Sequence, residues 1–198
     1  MRKPLTPEDL RSAAAAATDA LRAGVDADWS VPAGPLQWSC RHTAVHMADD
    51  FIPYAALLSA RAQTRYVPFE VTVNDETTPG DLLEVISGTA AVLADVIAAA
   101  PPDARGYHPA GPADPEGFTG LGLCELALHA SDIAVGLGID YALDGELARR
   151  WLARMMPAVD IGADDPWPVM LWATGRGTIS GREPVDHWRV YAGQLEES

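Results

Sequence analysis

The stretch GLGLCELALHASDIAVGLG, residues 120–138, limits what this chain can fold into more than any other. Its Leu121, Leu123, Leu126, Leu128, Ile133, Val135 and Leu137 occupy nearly every direction of a helical wheel, the pattern of a helix enclosed by neighbours. Such a helix needs other helices around it. Yet Glu125, His129 and Asp132 fall at i, i+4 and i+7, so they form one polar stripe on one face. Burying an ionised carboxylate costs several kcal/mol, so Glu125 requires compensation. A proton shared with His129, an arginine from another helix or a metal would each supply it.

The rest of the chain supplies the enclosing elements. Thr6-Pro7-Glu8-Asp9 combines an N-cap, a proline at the first helical position and two acids in the first turn, and predicts a first helix that stops at Gly24. Ser39 caps a second helix, expected from about residue 39 to 63, in which Pro53 predicts a kink or break. VPFEVTVND reads as a short extended piece. Thr78-Pro79-Gly80-Asp81 opens a third helix that Pro101 and Pro102 end. The irregular run PPDARGYHPAGPADPEGF precedes the enclosed helix, and a loop of that length in a compact domain is usually functional or mobile. Beyond it, LDGELARRWLARMM predicts an amphipathic fifth helix stopped by Pro157. There follow one short apolar run, a turn region rich in Gly and Arg, and an expected terminal strand at HWRVYA. The fold class is therefore mainly α: a four-helix bundle over residues 1–140, with a C-terminal extension over 141–198, a small helix and a short strand, packed on it as a single domain.

A chain of 198 residues with 48% hydrophobic content can bury one ordinary core. Its formal charge of -14 repels a phosphate backbone and an anionic bilayer surface, which argues against nucleic acid or membrane as partners. No apolar run is expected to reach the roughly 18–20 residues that span a bilayer, and the first ten residues lack the apolar core of a secretion signal. The expected location is the cytoplasm, and the expected state a monomer or homodimer. Cys40 and Cys124 have no CxxC spacing and read as small buried hydrophobes. The six tryptophans read mostly as core anchors.

The second helix carries His46 among Ala44, Val45, Met47 and Ala48, facing the same bundle interior. A histidine helix opposite a Glu/His helix is a metal-site pattern of bundles, although a satisfied core histidine fits the same position. His42 and Asp50 lie one turn to either side of His46 and read as solvated, with His42 also able to chelate alongside His46. In the long loop Tyr107, His108 and Asp114 are candidate pocket residues. Arg176 and Arg182 read as solvated turn residues within reach of an anionic substrate.

Two runs, DWSVPAGPLQWSCRHTAVHMADDFIPYA with Trp38 eight residues before His46, and GYHPAGPADPEGFTGLGLCELALHASDIAVGLG, resemble the DinB-like superfamily. More closely they resemble its mycothiol-dependent maleylpyruvate isomerase N-terminal-domain group, and WPVMLWATGR is similar to the tails of small members. The resemblance implies a DinB-like four-helix bundle with a divalent metal, usually zinc, held by His46, Glu125 and His129. A set of this kind also suits nickel or iron. His42 departs from the acidic residue more common there and is carried as a candidate catalytic residue with Asp132. Asp132, Tyr107 and His108 are candidates for binding a thiol cofactor.

Three protein ligands leave a fourth zinc position open, as in catalytic sites. In characterised relatives the incoming ligand is mycothiol, so the expected function is a zinc-dependent thiol transferase or isomerase acting on a small electrophile. A metal-dependent enzyme without a thiol, catalysing hydrolysis or a biosynthetic rearrangement, and a non-catalytic metal-binding protein are the alternatives.

Overall fold

The computed structural model describes residues 2–194. Six α-helices follow in order: α1 Pro7–Leu21, α2 Cys40–Ala60, α3 Pro79–Ala99, α4 Pro115–Leu137, α5 Gly145–Met155 and α6 Pro166–Ala173. The structure is mainly helical, a DinB-like bundle with no sheet among the described residues. Short polar residues set the helix starts. Thr6 and Thr78 each form a capping box with an aspartate three residues on, and Ser39 accepts the amide of His42.

The first four helices form a ring in which α3 lies between α1 and α2, and α4 between α2 and α1. That order makes α2 and α4 neighbours, which decides where their polar residues meet. Gly136 sets how close they come: a Cβ there would lie 2.4 Å from the Pro32 carbonyl oxygen and 2.7 Å from Cys40 Sγ, at the start of α2. Only a glycine lets the loop and the first turn of α2 seat against the end of α4.

Helix α4 begins at Pro115 and is buried on most of its surface, from Phe118 and Leu121 to Ile133 and Ala134. Contrary to the expectation that no apolar run is long enough, α3 and α4 both have the length and composition to cross a membrane. In α4 that apolar surface is the bundle core, with 72% of the stretch buried. In α3 the figure is 39%, and its outer face carries Asp81, Glu84 and Asp95.

Further differences are local. Helix α2 passes through Pro53 unbroken and ends at Ala60, where Arg61 takes the left-handed conformation at φ 49°. No extended piece forms between residues 67 and 75, and no strand forms at 187–192. Neighbours offer the latter segment single bonds only, Tyr191 N–H to Met155 O and Ala192 N–H to Ala110 O, with an isolated bridge between Ala113 and Gly193. The short apolar run after α5 is a helix, α6, capped by Asp165 with Pro166 at its first position. Among the tryptophans Trp29, Trp151 and Trp167 are core residues, whereas Trp38 and Trp188 are 42% and 37% exposed.

Candidate metal centre

On α4, Glu125 and His129 lie one turn apart and project together, with His129 Nε2 3.2 Å from Glu125 Oε2. Across the gap, His46 of α2 points its Nε2 at the same oxygen, 3.8 Å away. The donor atoms of His46, Glu125 and His129 all lie within 4.8 Å of one another. The structure thus brings together the two nitrogens and one carboxylate proposed from sequence.

Asp50 is the residue whose surroundings were misread. It lies one turn after His46 and turns inward rather than to solvent, its Oδ2 3.2 Å from His46 Nε2. Burial, and after it the charge of Glu125, push the Asp50 carboxyl up to about 8. For Glu125 burial acts the same way but is outweighed by His129 and His46, which hold it below the usual range. The two carboxyls together therefore retain a proton that separate, solvated carboxyls would lose. No lysine or arginine pairs with either of them among the described residues.

His129 is held from behind. Burial lowers its pKa, but hydrogen bonds to Asp132 and Glu125 outweigh burial and raise it to about 9. Its Nδ1 lies 3.2 Å from Asp132 Oδ2, so that carboxylate keeps a proton on Nδ1 and leaves Nε2 facing the cluster. Asp132 in turn takes a fork from Arg176, with Nε 3.0 Å from Oδ1 and Nη2 2.9 Å from Oδ2. Arg176 is therefore not a solvated turn residue: its side chain is 12% exposed and committed to Asp132. Arg182 is likewise engaged, donating to Asp164 Oδ2 and the Asp160 carbonyl and lying over Trp172.

Aromatic rings border the cluster. The half-exposed Trp38 stands 4.9 Å from His46, centroid to centroid, and 4.8 Å from His42. His42 is exposed and stays outside the cluster, its ring against Trp38. On the other side the buried Tyr54 places its hydroxyl 3.4 Å from Glu125 Oε1, and His108 packs 5.8 Å from the Tyr54 ring. His108 also accepts the Ala110 amide on Nδ1, and Tyr107 stacks edge-on against Tyr66. His108 is thus the second ring out from Glu125, and Tyr107 lies farther along the same aromatic wall, behind Tyr66. Asp114 does not: it caps α4 through the Gly117 amide and pairs with Arg154. A cavity of about 640 Å³ lies away from the donors, between His108, Met155, Trp188 and Tyr191, and shares only His108 with this wall. The donor chemistry, not the size of a hollow, locates the site.

The residues fit a divalent cation: two imidazoles and a carboxylate converge, an extra carboxylate adjoins them, and among the described residues no guanidinium or ammonium pairs with either acid. Both cysteines are buried and unpaired, and burial raises both thiols, so neither offers a ready nucleophile.

A helical bundle with a His/Glu/His cluster between its second and fourth helices defines the class. Within that class the chain belongs to the mycothiol maleylpyruvate isomerase N-terminal domain family, which matches residues 10–134. Neither the curated proteins nor the solved structures hold a significant match to the chain. The family match ends just after Asp132, so Arg176, α5 and α6 lie beyond it.

Proposed function

We propose that this protein is a cytoplasmic, zinc-dependent transferase or isomerase that uses a low-molecular-weight thiol, mycothiol or a close analogue, on a small electrophilic molecule. The observation that carries the reading is the convergence of His46, Glu125 and His129 within 4.8 Å in a chain of this family. A zinc ion held by such donors supplies a Lewis acid that keeps a bound thiol as thiolate near neutral pH.

The chain's own residues provide the rest. Asp132 orients His129, and Arg176 fixes Asp132 from outside the bundle, so the imidazole is set before any ligand arrives. Trp38 gives the electrophile a flat, half-exposed surface beside His46. Tyr54, Tyr66, Tyr107 and His108 form the wall along which the polar part of the thiol lies. His42, next to Trp38 at the rim, contacts the substrate rather than the metal.

Metal analysis of protein purified without a chelating tag, followed by calorimetry with a panel of small thiols, tests this. One zinc per chain and saturable thiol binding are expected. Zinc without thiol binding removes the thiol half of the proposal, and turnover of an electrophile without added thiol moves the reading to metal-assisted hydrolysis or rearrangement. Protein without metal that binds none removes the whole.

A further inference from the structure

We propose that Asp50 is a fourth protein ligand, so that this chain presents a two-histidine, two-carboxylate site rather than the three-residue set. The inference rests on the metal reading above and extends it to a residue outside that set. Two ligand atoms about 2.1 Å from one tetrahedral cation lie about 3.4 Å apart. Asp50 Oδ2 stands 3.2 Å from His46 Nε2, as Glu125 Oε2 does from His129 Nε2, and so adjoins the cluster through His46 from just outside the three donors that lie within 4.8 Å of one another. Each helix therefore contributes one carboxylate and one imidazole four residues apart, Asp50 with His46 on α2 and Glu125 with His129 on α4. Spacing of one turn lets both members of a pair reach one point without distorting the helix.

The neighbouring acid shows that the inward position is particular to Asp50. Asp49 is spent on structure, its Oδ1 accepting the backbone amide of Val71. Asp50 instead faces His46 and Glu125 with its side chain only 22% exposed. Arg176, the guanidinium behind His129, is committed to Asp132. Two adjoining carboxylates in a largely buried place are relieved by a retained proton or by a cation between them, and a dication shared by both would take the proton's place. An incoming ligand then competes with a protein carboxylate rather than with water alone.

The test uses the full chain with Co²⁺ and Zn²⁺ alone, comparing wild type with Asp50→Ala, Asp132→Asn and His46→Ala. The readouts are affinity by chelator competition and the visible d–d spectrum of bound Co²⁺. Asp50→Ala is expected to weaken metal binding at least tenfold and to change the band positions and intensity of bound Co²⁺. Asp132→Asn, which only loosens the orientation of His129, is expected to weaken binding while keeping the wild-type spectrum. Melting of each metal-free variant checks that it folds, and Asp50→Ala should melt no lower than wild type because it removes one of two adjoining acids. A wild-type Co²⁺ spectrum with affinity within about twofold in Asp50→Ala overturns the fourth ligand. If His46→Ala still abolishes binding in that case, the three-residue site stands without it. A wild-type chain that binds neither metal overturns both.

Discussion

Two clusters of buried charge sit at different places on α4, and they are closed in opposite ways. At its N-terminus Arg154 of α5, with a side chain 1% exposed, answers Asp114 and Glu116. Its remaining N–H groups go to the carbonyls of Tyr191, Ala192 and Gly193, and Arg2 forks onto Glu116 from the chain start. Against the middle of the same helix, Glu125 and, from α2, Asp50 meet the imidazoles of His46 and His129 and, at Glu125, the Tyr54 hydroxyl. The first cluster carries its cation as a side chain. The second has carboxylates and neutral-capable nitrogens in the arrangement that a cation from solution would complete. Among acids buried against one helix, the presence or absence of a guanidinium separates a structural ion pair from a candidate binding site.

Breaking the closed cluster should have the largest effect. Arg154→Met strands Asp114 and three carbonyls, and we expect a loss of about 3–5 kcal/mol in denaturant unfolding with no change in metal content once the protein is folded. Glu125→Gln attacks the other cluster and should behave inversely. Metal affinity should fall by more than the roughly 100-fold upper range of outer partners, while the metal-free protein should lose less stability than Arg154→Met does, because Glu125 answers imidazoles and no fixed guanidinium is stranded.

Acidity sharpens the contrast further. In the metal-free protein His129 titrates near 9 and Asp50 near 8, both above their unfolded values. Each contributes stability that is fully present below its unfolded pKa and is lost as pH rises through the folded one. The metal-free protein should therefore lose stability steadily between pH 6 and pH 9, read as a falling Tm. Metal binding requires those same groups without their protons, so the rise in Tm on adding Zn²⁺ should grow over the same interval. A metal-free Tm that climbs from pH 6 to pH 9 would contradict the charge pattern described for the site. The smallest effect expected is that of Asp132→Asn, about tenfold in metal affinity.

What could be read from the amino-acid order follows helical periodicity. Glu125 and His129 share a face because 3.6 residues make a turn, and His46 lies inside because its neighbours are apolar; neither inference needs the path of the loops. Asp50 has the same spacing from His46 as Glu125 from His129, so the signal was there. It was misread as solvated because an acid on a mostly apolar helix faces inward only if another helix brings something to meet it. Arg176 was out of reach for a different reason. It follows a helix that was read merely as an apolar run, though Asp165-Pro166 repeats the cap-and-proline start of Thr6-Pro7, and its partner lies 44 positions earlier. Tryptophans read mostly as core anchors, but the turn that bonds Ala33 N–H to the Trp38 carbonyl holds Trp38 at the rim.

The pairing of Arg176 with Asp132 also bears on the order of events as the chain is made. All four ring helices have been synthesised well before Arg176 appears, so Asp132 spends that interval without its guanidinium and His129 without a fixed support. The site thus acquires its final geometry only after the helices that hold its donors have been made, and a newly made chain stopped at residue 140 would hold the donors without the brace that aligns them.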